Sequence, residues 1–423
     1  MTHEYVSAER EVVEDVQQQE KIANEEFKIW KKSVPLLYDT IHTNALEYPS
    51  LVVQWLPNYT YSENKNLINV KYLIGTNSND HNYLKLGSID LPSTLAPDFA
   101  SVLPNALSIP IPLSNIETSN FRILSKWKQP SEINRLRLSP DGDKALTFNS
   151  NGIIHSYNLV NNDILEYNYH KQEGYGLEWI SNEAFLSGSK DSQIALWNIL
   201  KPSTPIQLFK NHKGGINDLS VNSISKDIFG SVSDDFTTQF HDIRVAGEPV
   251  IQVQNSHIQS AIDFHPDVQT LYSTAGKDNT VNLYDLRNPE TPIRRFFGHS
   301  DTVIGVKWDL TNDPNVLVSW GLDKRVIYWD LANLEEDFVY PNSESENSKR
   351  KNSSKVDPCL KFIHAGHTNR INDLDIHPSI SNLYATVGED RLFEVWKPKT
   401  LLAEDENEEE ESEKEEKEEE KNE

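Results

Sequence analysis

GHSDTVIGVKWD (Gly298–Asp309) and, a few residues on, VLVSWGLDKRVIYWD (Val316–Asp330) decide the fold of this chain. The unit opens on Gly-His, closes on Trp-Asp and carries Asp323 six positions before Trp329. The same metre recurs in His170, Asp191 and Trp197; in His212, Asp235 and His241; in His257, Asp278 and Tyr284; and in His367, Asp390 and Trp396. In all five units six positions separate the Asp from the closing residue, and 27 to 30 separate the His from it. Self-similarity at about 40–45 residues marks the blades of a β-propeller. A blade is a four-stranded antiparallel sheet, so two short strands with their turns fit between His and Asp. Runs such as VIYW and NLY supply the β-branched and aromatic residues of the strand after Asp.

A buried His and a buried Asp must hydrogen-bond each other and nearby backbone. His170, His212, His257, His299 and His367 therefore read as internal bracing. No cluster with metal-ligand spacing accompanies them, and neither a metal nor a cofactor is expected.

The 423 residues carry a formal net charge of −25. Glu404–Glu423 holds 14 acids against 3 lysines, which is −11 and leaves −14 for the remainder. Such a surface repels nucleic acid and lipid headgroups and attracts basic partners, so neither direct DNA binding nor membrane binding is expected. Cys359 is the single cysteine, which excludes an internal disulfide and fits a reducing compartment. No apolar run approaches 18 residues, and the Glu/Gln-rich start lacks the apolar core of a signal peptide. The expectation is a soluble intracellular protein of nucleus and cytoplasm.

Taken in order, residues 1–45 read as a helical arm, 46–400 as a seven-bladed ring and 401–423 as a disordered polyacidic tail. In the arm, Val12, Val16, Ala23, Phe27 and Trp30 share one stripe. Pro35 suits the first turn of a second short helix, PLLYDTIHT, running to about Thr43. The arm either docks against the ring or forms one wall of a partner groove. LVVQWLP (Leu51–Pro57) reads as a strand that completes the last blade and removes its free edge. NVKYLIGT and NYLKLGSIDL give an irregular first blade, 91–120 a surface excursion, and Phe121–Leu159 a second blade with Asn151 at the Asp position. The His299-to-His367 interval is 68 against 42 to 45 for its neighbours, which places an insertion at 333–360 in blade 6. Long loops on a rigid ring are binding elements. The chain holds no phosphate-cradling Gly loop, no GxSxG, no HExxH and no paired cysteines, so an enzyme is not expected.

NEEFKIWKKSVPLLYDTIHTNALEYPSLVVQWLP (Asn24–Pro57), KQEGYGLEW, IFGSVSDD, NLYDLRN and KFIHAGH resemble the histone-binding WD-repeat proteins of the retinoblastoma-binding type, over about residues 20–398. Within that group the chain is most similar to the fungal regulatory subunits of type B histone acetyltransferase. The resemblance implies a non-catalytic subunit, one copy in a hetero-oligomer, that binds the tetramer-forming core histones and presents them to a catalytic acetyltransferase subunit.

The resemblance also implies two contacts. A side groove would grip the first helix of a core histone through Leu36, Leu37, Thr40, Ile41, Glu335, Glu336, Asp337, Asp357 and Ile363. There, Ser354-Lys355-Val356-Asp357-Pro358 replaces the family's more acidic segment. An acidic top face would receive a basic histone tail at Glu132, Asn134, Glu173, Tyr175, Asn217, Glu389 and Arg391, with Tyr175 stacking on an arginine. Asn217 and Thr302 stand where the family has acids, Ile304 where it has an aromatic and Asn77 where it has His. Alternatives are a subunit of a chromatin assembly factor, or a general scaffold such as a ubiquitin-ligase adaptor.

Overall fold

A computed structural model describes residues 21–102, 120–245, 247–309, 311, 315–334 and 356–399. Its strands form seven four-stranded antiparallel sheets, each a blade of one propeller. From the channel outward the strands of each blade are a, b, c and d. The a strands are Val53–Tyr61, Ile133–Leu138, Gly174–Ser181, Ile216–Val221, Gln259–Phe264, Val303–Trp308 and Ile371–Ile376 in blades 1 to 7. Among the described residues no helix is long and apolar enough to cross a membrane.

The repeated His and Asp are the bracing that the spacing predicts in four blades. His170 meets Asp191 at 3.1 Å and the Ser187 hydroxyl at 2.8 Å. His212 meets Asp235 and Ser231 at 2.9 and 2.8 Å, and His299 meets Asp323 and Ser319 at 2.8 and 2.7 Å. His367 meets Asp390 and Thr386 at 3.1 and 2.9 Å. The closing Trp197 and Trp329 donate their indole N–H to the same Ser187 and Ser319 at 2.9 and 2.8 Å. Each four-residue set joins the loop before a blade to its b and c strands, so a buried polar group satisfies its neighbour rather than going unpaired. Blade 5 departs: His257 is exposed and does not meet Asp278.

Around the channel, side chains of one a strand accept backbone N–H groups of the next. Asp218 accepts from Ile262 at 3.2 Å, Asp263 from Trp308 at 3.0 Å, Asp373 from Val53 at 3.0 Å and Asp375 from Trp55 at 2.7 Å. Gln54 accepts from Leu138 at 3.1 Å. Arg135 bridges to Asp218 two blades away, and Arg137 meets Glu178 at 3.1 Å. Burial pushes the Asp263 carboxyl up to about 7.

Three boundaries differ from those read in the sequence. Helix occupies 21–37, with Pro35 inside its last turn, and Tyr38–Ala45 is a strand instead of the expected second helix. That strand pairs with Leu392–Pro398 from Tyr38↔Pro398 to Ala45↔Leu392, so tertiary pairing overrides the helical reading of PLLYDTIHT. It supplies strand d of blade 7 and closes the ring, the role expected of Leu51–Pro57; Val53–Tyr61 instead opens blade 1. Phe121–Gln129 is strand d of blade 1, and blade 2 runs from Ile133 to Asn168. In the last two cases the sequence repeat is offset by one strand from the structural blade.

Candidate functional site

The side wall is built on the helix at 21–37. Ala23, Phe27, Trp30, Val34 and Leu37 recur at helical spacing on its half-buried or buried face, while Ile22, Ile29 and Leu36 stay exposed. Trp30 is the anchor. Its indole N–H donates to the Tyr38 hydroxyl at 2.9 Å, which leaves that hydroxyl to donate to His364 Nδ1 at 2.8 Å. His364 Nε2 then carries the ring proton and faces Glu394 at 3.0 Å, and Thr43 donates to the other Glu394 oxygen at 3.1 Å. Burial lowers the His364 pKa, which suits a neutral ring, and drives the Tyr38 hydroxyl far above its ordinary value. Burial alone would raise Glu394, but the His364 contact holds it below the usual carboxylate range. The ligand atoms of His364, His367 and Glu394 lie within 4.8 Å of one another, yet both His367 nitrogens are engaged by Asp390 and Thr386, so the cluster is bracing.

Of the residues expected in the side groove, Leu36 is 70% exposed at the end of the helix. Leu37 and Ile41 pack half-buried with Trp30, Tyr38 and Phe362, and Thr40 lies between them opposite Lys397. Ile363 does not join them. Strand alternation turns Phe362 and His364 toward the helix and Ile363 the other way, against Ile327, Trp329 and Leu334. Asp357 is corrected more sharply. It is 2% exposed, and its oxygens accept the backbone N–H groups of Phe297 at 3.3 Å and Cys359 at 3.1 Å and meet Arg294 at 3.3 Å. A carboxylate held this way is an internal clamp on the end of the insertion and is not available to a partner. Glu335, Glu336 and Asp337, and the tail at 401–423, lie outside the described residues.

The second surface is the channel mouth, a cavity of about 680 Å³ to which all seven blades contribute. Two recurring sequence positions supply most of its lining, both of them in blades 3 to 6. The second residue of strand a gives Asn134, Tyr175, Asn217, Ser260, Ile304 and Asn372, and the residue before the repeat's Asp gives Lys190, Asp234, Lys277 and Leu322. Asn77, Arg135 and Arg370 complete its polar rim.

Asn134, Tyr175 and Asn217 line the mouth, Glu173 and Glu389 hold lining residues in place, and Glu132 is bonded outside the lining. Glu173 accepts from Tyr175 at 3.1 Å and Asn134 at 3.4 Å; Glu389 accepts from Asn372 at 3.2 Å and meets Arg370 at 3.6 Å; Glu132 accepts from Ser150 at 2.6 Å. Burial, with Glu173 beside it, pushes the Tyr175 hydroxyl up to about 12. Arg391 is exposed on the outer turn at φ 63° and does not line the cavity.

The expected acidic top face is corrected to a mixed one. Arg135, Lys190, Lys277 and Arg370 line the mouth, and the missed Lys190 joins Asp234 at 2.8 Å and Asn217 at 2.7 Å. Its ammonium also sits 5.3 Å from the Tyr175 ring centre, the place the sequence reading gave to a partner's arginine. The missed cations were findable, because each occupies the position just before a repeat Asp or beside the start of strand a.

Comparison with known proteins matches residues 25–93 to the family described as histone-binding protein RBBP4 or the C component of the CAF1 complex. Residues 248–285 match the WD domain, G-beta repeat. A Candida glabrata protein named histone acetyltransferase type B subunit 2 is 34% identical over 88% of this chain and 88% of its own length. Proteins of the same name from Debaryomyces hansenii and Kluyveromyces lactis are each 30% identical, over 94% and 89% of this chain and 97% and 92% of their own lengths. With the seven blades, the anchored N-terminal helix and the amide-lined mouth in place, the chain belongs to the family of type B histone acetyltransferase subunit 2 proteins, WD-repeat propellers of the histone-binding kind.

Proposed function

We propose that this chain is the non-catalytic, histone-binding subunit of a type B histone acetyltransferase, holding a tetramer-forming core histone for the catalytic subunit in cytoplasm and nucleus. The observation that carries the reading is the side wall. A helix is clamped to blades 6 and 7 through Trp30, Tyr38 and His364, yet it leaves Leu36 bare beside the half-buried Leu37 and Ile41. An exposed apolar residue on a rigid helix, on a chain of net charge −25, suits the apolar stripe of a basic histone helix.

Leu36→Asp tests this without touching the core. Histone affinity is expected to fall at least tenfold in titration calorimetry while the unfolding midpoint stays put, and undiminished affinity refutes the side-wall assignment. At the mouth, Glu173→Lys is expected to weaken binding of a basic histone-tail peptide. The matched family description also names a component of the CAF1 complex, which supports a second reading as an assembly-factor subunit. Affinity purification from cells separates the two by whether an acetyltransferase or an assembly factor accompanies the chain.

A further inference from the structure

In blades 3, 4, 6 and 7 the bracing His stands four positions before strand a: His170 and Gly174, His212 and Ile216, His299 and Val303, His367 and Ile371. In blade 5 only two positions separate His257 from Gln259. The connection from the outer strand of blade 4 to strand a of blade 5 has four residues, against five or six before the other four blades, and a His two positions from strand a is too close to it to fold back over its own sheet. His257 is exposed, with its Nδ1 3.0 Å from the Ser256 hydroxyl, and it lines a cavity without reaching Asp278. The cavity measures about 360 Å³ and lies between the outer strand of blade 4 and the c and d strands of blade 5, with Asp278, the Asp that a bracing His meets in the other blades, on its wall.

That cavity has a defined polarity. Two buried acceptors on its walls, Asp278 Oδ1 and Gln259 Oε1, have no donor among the described residues. Gln259 is 4% exposed and its amide nitrogen donates to the His257 carbonyl at 3.2 Å, so the oxygen is the atom left over. Asp278 Oδ2 already accepts from Thr280 at 2.7 Å, which leaves Oδ1. Glu290 adds a second carboxylate and Arg295 one cation, so the lining carries one net negative charge. Tyr284, stacked on Tyr272 with ring centres 5.3 Å apart, supplies a flat aromatic wall. Buried acceptors without donors are costly and call for a ligand that brings N–H groups.

We propose that the blade 5 cavity binds a guanidinium group, presented as an arginine side chain by a partner. The planar cation offers donors to both orphan oxygens, cancels the net charge and lies against the tyrosine face. Ile258 and Lys277, the sequence neighbours of His257 and Asp278, line the channel mouth. An extended chain crossing the mouth thus brings an arginine over the cavity, whichever protein carries it.

The test uses the full-length chain, N-acetyl-arginine amide and N-acetyl-lysine amide as probes, and calorimetry together with crystals grown in the arginine probe. The arginine probe is expected to bind at least fivefold better than the lysine probe, with its guanidinium beside Asp278 in the crystal. Asp278→Asn is expected to weaken binding at least tenfold. Insertion of two glycines between His257 and Ile258 restores the four-position spacing between the His and strand a found in the other blades. It is expected to seat His257 on Asp278, raise the unfolding midpoint and abolish binding. Histone-tail peptide affinity is measured separately in Glu173→Lys, and probe affinity in Asp278→Asn, so failure here and failure of the histone-tail reading are distinguishable. Equal affinity in wild type, Asp278→Asn and the insertion variant, or a cavity that holds only water at saturating probe, overturns the proposal.

Discussion

Tyr38 shows how much a single hydroxyl carries. It accepts from Trp30 and donates to His364, so Tyr38→Phe strands both partners in a buried site. Expected destabilisation is about 1–3 kcal/mol by urea unfolding. Buried histidines set the acid limit. His241, which replaces the closing Trp of blade 4, and His377 are both held down to about 4 by burial. Neither His241 nitrogen has a partner among the described residues. Because these side chains protonate readily only when unfolded, the unfolded chain takes up more protons between about pH 6.5 and 4, and stability falls as pH falls through that window. The loss is on the order of 3 kcal/mol per histidine once pH is below the folded value. His241→Phe is expected to stabilise the protein at pH 5 and to flatten that part of its pH profile in thermal melts. At this scale the sequence disclosed the bracing residues, since their metre is rigid. It did not disclose that His257 stands outside the set, because its spacing of two positions to strand a shows only once the start of that strand at Gln259 is known. Nor did it show that Asp357 is buried, because exposure of an acid depends on what packs over it.

At the scale of elements, the blades were legible and their edges were not. A repeat read from His to Trp contains strands a, b and c, while strand d begins the next sequence unit, and this offset accounts for the misplacement of Phe121–Gln129 and Leu51–Pro57. The helix ending at residue 37 was misjudged because Pro35 sits in its last turn and because Tyr38–Ala45 takes its conformation from a strand far away in sequence. Ile41→Pro removes the N–H of a residue paired with Trp396 and is expected to destabilise the ring by about 2–4 kcal/mol, as read by chemical unfolding. If Tyr38–Ala45 were a loosely attached arm, that substitution would be nearly silent.

For the whole molecule, charge and shape divide the work. The net charge of −25 gives any basic partner a long-range attraction, which is expected to appear as histone affinity that falls steadily between about 50 and 300 mM salt in calorimetry. Deleting 401–423 brings the charge to −14 and is expected to slow histone association in stopped-flow measurements, with less effect on dissociation. Composition disclosed the sign of this field. It concealed the four cations at the channel mouth, which lie far apart in sequence and are gathered only when the ring closes.

Ring closure also has a consequence in time. Tyr38 pairs with Pro398, 360 positions later, so the last blade is assembled from both ends of the described chain. At a synthesis rate of about 5–20 residues per second, the first-made strand waits about 20–70 s for its partner. During that interval Tyr38–Ala45 has no sheet to join, and the anchor for Trp30 at His364 does not yet exist. The wall proposed to grip a histone is therefore among the last parts of the protein to form, and a nascent or truncated chain cannot display it.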